Sequence, residues 1–88
     1  MKRIEIPSFS KSKYAGCLVD LLSDGFHSLE NSESIVTEIR LNSVDLEILQ
    51  SDVEYIDQHS HEDGVEYLWT ARIVRNDTLD CVVLIGED

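Results

Sequence analysis

The chain has 88 residues, 42% of them hydrophobic, and a formal net charge of −11 at pH 7. That length predicts one domain, residues 1–88, with a small core. The acidity disfavours nucleic acid as a direct ligand, because cations must displace the counterions of the phosphate backbone, and no apolar run reaches membrane-spanning length.

In chain order, Arg3-Ile4-Glu5-Ile6 alternates polar and apolar residues and is followed by Pro7, which predicts a short edge strand. Ser10 or Ser12 offers an N-cap, and Tyr14, Leu18, Leu21 and Leu22 recur at helical spacing with Cys17 beside them. A helix is therefore expected over about Ser10–Asp24, with Gly25 as its C′ terminator. Phe26 to Glu33 is predicted as a loop, with Phe26 and Leu29 tucked beneath it. From Ser34 to Leu41 the period is two, placing Ile35, Thr37, Ile39 and Leu41 on the buried face of a strand. Asn42 or Ser43 then caps a short helix. Asp45 stands near its positive end, and Leu46, Leu49 and Val53 are expected to face the core.

Val53-Glu54-Tyr55-Ile56 is compatible with a short strand, and Gln58 to Gly64 with a polar loop. Two β-rich runs follow, Val65–Arg75 and Cys81–Gly86, around the polar turn Asn76–Asp80. They predict a C-terminal hairpin whose second strand, apolar on both faces, is an inner one. Trp69 is expected on the sheet face beneath the long helix, touching Leu18 or Leu22. The fold class is α+β: a four- or five-stranded mixed or antiparallel sheet with one long helix on one face and one short helix.

Catalytic signals are sparse. His59-Ser60-His61-Glu62-Asp63 has metal-compatible donors, but a site needs three or four ligands, and neither His27 nor the cysteines supply the missing ones by spacing. Cys17 and Cys81 sit in apolar runs and read as reduced core thiols. No glycine-rich phosphate loop is present. The reading is a non-enzymatic protein with no cofactor, a metal-dependent enzyme using His59 and His61 being the distant alternative. Met1-Lys2-Arg3 is followed by Ile4-Glu5-Ile6-Pro7 instead of a long apolar region, so a cytoplasmic site, in a host cell or a virion, is the expectation.

The charge is uneven. Residues 1–13 hold Lys2, Arg3, Lys11 and Lys13 against Glu5 alone, whereas residues 14–88 hold three basic side chains against seventeen acidic ones. Glu47, Asp52, Glu54, Asp57, Glu62, Asp63 and Glu66 are concentrated mid-chain. If they bind a partner they must share one face, with the basic N-terminal arm away from it. Such a face suits another protein: a second copy of this chain, or a basic nucleic-acid-binding protein that takes carboxylates for phosphates.

Residues 36–87 carry a further pattern. Val36-Thr37-Glu38-Ile39-Arg40-Leu41 ends in Asn42 before a short helix. Tyr67-Leu68-Trp69-Thr70 then follows as a strand motif, and Val83-Leu84-Ile85-Gly86-Glu87 closes the stretch. This resembles the C-terminal part of tailed-phage major capsid proteins, with Thr70 where that family has Gly. The resemblance implies a phage- or mobile-element-type structural or assembly component, with contact surfaces and no catalytic site. The alternative is an acidic inhibitor that mimics nucleic acid and blocks a DNA- or RNA-processing protein.

Overall fold

A computed structural model describes residues 1–10 and 18–88. The elements run β1 (Lys2–Pro7), α1 (Leu18–Glu30), β2 (Ile35–Leu41), α2 (Ser43–Gln50), α3 (Val53–Gln58), β3 (His59–Glu62), β4 (Val65–Leu68), β5 (Ala71–Arg75) and β6 (Cys81–Glu87). The six strands form one mixed sheet in the order β1-β6-β2-β5-β4-β3. The α+β class therefore holds, with six strands and three helices among the described residues.

One face of the sheet carries the core. Ile6, Val82, Leu84, Val36, Ile39, Leu41, Leu68 and Ala71 are buried there with Val19, Leu22, Phe26 and Leu29 of α1, Leu49 of α2 and Tyr55 of α3. The register gives the opposite face a different composition: Ile85 lies between Arg3 and Glu38, and Val83 between Glu5 and Arg40. Ion pairs Arg3–Glu5, Arg40–Glu38 and Arg72–Glu38 run across it at 3.1, 2.7 and 2.9 Å. Long charged side chains can lay their aliphatic stems over apolar neighbours. Val83 and Ile85, which stand outside the main core cluster, are still almost fully buried.

Several expectations are corrected. β5 and β6 do not form a hairpin: β2 lies between them, parallel to β5 and antiparallel to β6. The polar link from Asn76 to Asp80 carries the chain across β2, and Asn76 N–H donates to the Leu41 carbonyl on the way. The hairpins are β3–β4 and β4–β5. The first turns at Asp63-Gly64, both with positive φ, as a tight two-residue hairpin of this kind requires.

α1 extends through Phe26 and Leu29 to Glu30, so that segment is not a loop, although both side chains are buried as expected. The expected N-caps Ser10 and Ser12 and the first half of the predicted helix concern a segment of which residues 11–17 lie outside the described ones. Gly25 does not end the helix; it lets α1 press onto the sheet, where a Cβ would stand 2.5 Å from Leu84 Cδ1. β2 bulges between Val36 and Glu38. The bulge turns Val36 inward and leaves Ile35 exposed and Thr37 half-buried, against the even alternation predicted. Residues 53–56 form part of α3 instead of a strand. Its cap is Asp52, whose side chain accepts from the Glu54 and Tyr55 amides.

Candidate functional site

Of the two expected caps, Asn42 and Ser43, it is Asn42 that caps α2, accepting from the Asp45 amide at 2.9 Å. Asp45 itself is fully buried; its Oδ1 accepts from the Ser8 hydroxyl at 2.7 Å, which ties the end of β1 to α2. The positive end of α2 is also occupied by the chain's own acid: Asp77 accepts from the Ser43 amide at 2.7 Å and from its hydroxyl. Those Ser43 donors, followed by Arg75, hold the Asp77 carboxyl below the usual carboxylate range. A helix start that commonly binds external phosphate is here satisfied from within.

The seven mid-chain acids fall on α2, α3 and the β3–β4 hairpin. Glu47, Glu54, Asp57, Glu62 and Asp63 are exposed. Asp52 and Glu66 are half-buried and serve local structure. Asp52 caps α3, while Glu66 receives Gln50 at 3.2 Å and lies 3.4 Å from His61 Nε2. No Lys or Arg occurs between Arg40 and Arg72. Val53 does not face the core as expected: with Ile56, one helical turn on along α3 and flanked by Glu54 and Asp57, it stands in solvent, the two being 74% and 53% exposed. β1, with Lys2 and Arg3, is the opposite edge strand. Five strand spacings, about 24 Å, separate it from β3. Other acids lie elsewhere on the surface, including Asp20, Asp24, Glu33, Asp80, Glu87 and Asp88.

His59 stacks on Tyr55 at 4.9 Å between ring centroids, and its Nδ1 lies 3.0 Å from the Tyr55 and Ile56 carbonyls. His59 and His61 thus meet edge to face at the end of α3. Among the described residues no group of three or more His, Cys, Asp or Glu side chains has a metal-binding arrangement. Cys81 is half-buried, and burial, with Glu5 and Asp80 adding to it, pushes its thiol up in pKa, the reverse of what a nucleophile needs. Cys17 lies outside the described residues. Among those residues no helix is long and apolar enough to cross a membrane.

The residue furthest from expectation is Trp69. It does not lie beneath α1 in a strand. It occupies the first position of the two-residue turn between Leu68 and Ala71, with φ of 55°. A two-residue hairpin of this kind normally has Gly there. Trp69 is 38% exposed; its ring meets Phe26 edge to face at 4.9 Å, and its Nε1 donates to Gln58 Oε1 at 3.0 Å. Gln58 in turn donates to Glu54 at 3.2 Å, linking the indole to the acidic side of α3. A cleft of about 220 Å³ opens between this turn and α1, lined by Ser23, Phe26, His27, Glu30, Trp69 and Thr70. The sequence held one signal for the turn position of Trp69, though none for the cleft. Asp63-Gly64 is a strong hairpin dipeptide; placing that turn sets β3 against β4 and runs β4 out at Leu68, leaving Trp69 at the bend.

Comparison with protein families, with curated proteins and with solved structures finds no match for this chain.

Proposed function

We propose that this protein is non-enzymatic and acts by contact with another protein, through the acidic end built by α3 and the β3–β4 hairpin. The observation that carries the reading is the exposed apolar pair Val53 and Ile56, rimmed by Glu54 and Asp57, in a stretch without Lys or Arg. An apolar centre with a charged rim is the common anatomy of a protein contact. The partner is then a protein with a basic surface, and the role is that of an assembly component of the phage or mobile-element kind. The same end favours a second form of the reading. Carboxylates on one short rigid segment, without interleaved cations, suit an inhibitor that occupies the nucleic-acid-binding surface of its target.

Reversing Glu54, Asp57 and Glu62 to Lys tests the contact. All three are exposed, so the fold should survive, since exposed charges add little to stability. The expected outcome is loss of the partner retained by the parent chain, with salt slowing association more than it speeds dissociation. Equal retention by parent and triple variant would reject the acidic end as the contact. Self-association in light scattering separates the assembly form from the inhibitor form, in which a monomer holds a nucleic-acid-binding protein.

A further inference from the structure

We infer that the cleft between Trp69 and the last turns of α1 is the anchor pocket of this contact, and that it takes an arginine side chain of the partner protein. The inference rests on the protein-contact reading above and gives that contact its recognition chemistry.

Four observations converge on a planar cation. Glu30 supplies an exposed carboxylate on the cleft wall. Ser23, Phe26, His27 and Glu30 follow helical spacing along one flank of α1, and His27 and Glu30 belong to its last turn, where the helix dipole is negative and favours cations. Trp69, a residue more than a third exposed, lines the cleft, and indole is the best ring for cation–π attraction. Its turn position holds that ring in place from two sides, through the Phe26 edge contact and the Nε1 bond to Gln58. The cleft is also small. Its volume of about 220 Å³ falls under the roughly 300–1,000 Å³ of small-molecule pockets and suits a single inserted side chain. Arginine fits better than lysine, because its guanidinium both stacks on an aromatic face and forks onto a carboxylate.

The backbone supports the same assignment. A bulky residue at positive φ is a conformational outlier, and such outliers persist where the surroundings over-determine them. Trp69 has both restraints just described and is still more than a third exposed. The strained position keeps an aromatic surface on display beside a carboxylate.

Trp69 is the only tryptophan in the chain, so its emission reports on the cleft directly. The probes are capped tri-arginine, tri-lysine and the neutral isostere tri-citrulline, titrated into the full chain at low ionic strength. Tri-arginine is expected to give a saturable change in Trp69 emission, tri-lysine a response at least about tenfold weaker, and tri-citrulline none. Glu30→Gln should weaken the tri-arginine response about tenfold with unchanged thermal melting, since Glu30 is exposed. Calorimetry on Trp69→Gly, which no longer emits, should show the same loss of affinity. An emission change identical in Glu30→Gln, or no saturable change, overturns the assignment. Heat of binding that vanishes in the Glu54, Asp57 and Glu62 reversal without any Trp69 response would reject the cleft while keeping the acidic end. A Trp69 response that persists in that reversal, together with full partner retention, would keep the cleft and reject the acidic end.

Discussion

Trp69 sets the energetics of its own turn. Holding a non-glycine residue at φ of 55° costs about 1–3 kcal/mol. Against that stand an aromatic edge contact worth about 0.5–1.5 kcal/mol and one hydrogen bond of similar net value. Those terms nearly cancel, which leaves burial of the rest of a side chain that is 38% exposed, so Trp69→Gly should cost about 2 kcal/mol. Trp69→Ala loses the same contacts and keeps the strained backbone, so it should be the less stable variant by about 1 kcal/mol. Urea unfolding followed by circular dichroism measures both. Ala equal to or more stable than Gly would show that φ at this position is not under strain.

At the scale of elements, what the sequence disclosed followed periodicity, and what it hid followed pairing. The alternation in Arg3–Ile6 and the Asn42–Asp45 cap are local, and β1 and the α2 start appear where those signals put them. Burial of β6 on both faces was also legible from its unbroken apolar run. Partner choice was not: nothing in Val65–Gly86 says that β2 inserts between β5 and β6, because the loop Asn76–Asp80 is compatible with a hairpin or a crossover. The β2 bulge was hidden for the same reason, since it depends on the register against β6. The stretch without Lys or Arg between Arg40 and Arg72 is read directly from the chain. The Trp69 cleft is not, because it joins α1 to a turn some forty residues later in the chain.

Glu38 shows what that register creates. It receives Arg40 and Arg72 from the same strand and the parallel neighbour, and these partners, Arg40 first, hold its carboxyl below its ordinary value near 4.5 despite opposition from partial burial. A carboxylate with a depressed folded-state pKa contributes stability above its unfolded value and loses it as pH falls through the folded one. Acid titration of the parent should therefore show a loss of stability beginning below about pH 4.5 that Glu38→Gln lacks. Melting temperatures between pH 5 and pH 3 check this, and parallel curves for the two proteins would show that Glu38 is not coupled to folding.

The whole molecule is small relative to the reach of its charge. Its extents are 32 × 30 × 25 Å, and the screening length is about 30 Å at 0.01 M salt but about 8 Å at 0.15 M. At low salt every one of its acids therefore acts on the others, and a net charge of −11 works against the compact state. The melting temperature should rise with sodium chloride, because exposed ion pairs such as Arg3–Glu5 lose little by screening while the self-repulsion is removed. A melting temperature that falls with salt would mean that the charged sheet face outweighs net repulsion.

The pairing of β1 with β6 has a consequence in time. Lys2 stands opposite Gly86, so the two ends of the chain lie side by side although 84 positions separate the paired residues. Closing so long a loop delays that pairing during folding, since distant contacts form only after their closure entropy is met. A circular permutant that joins residue 88 to residue 1 by a short linker and opens at the exposed Asn31-Ser32-Glu33 turn would make β6 and β1 successive strands and leave the β3–β4 and β4–β5 hairpins intact. It would convert the most distant contact into a local hairpin. Its refolding in stopped flow should be faster than that of the parent chain. An unchanged rate would place the barrier at the parallel β2–β5 pair, which the new connectivity leaves to form across the sheet.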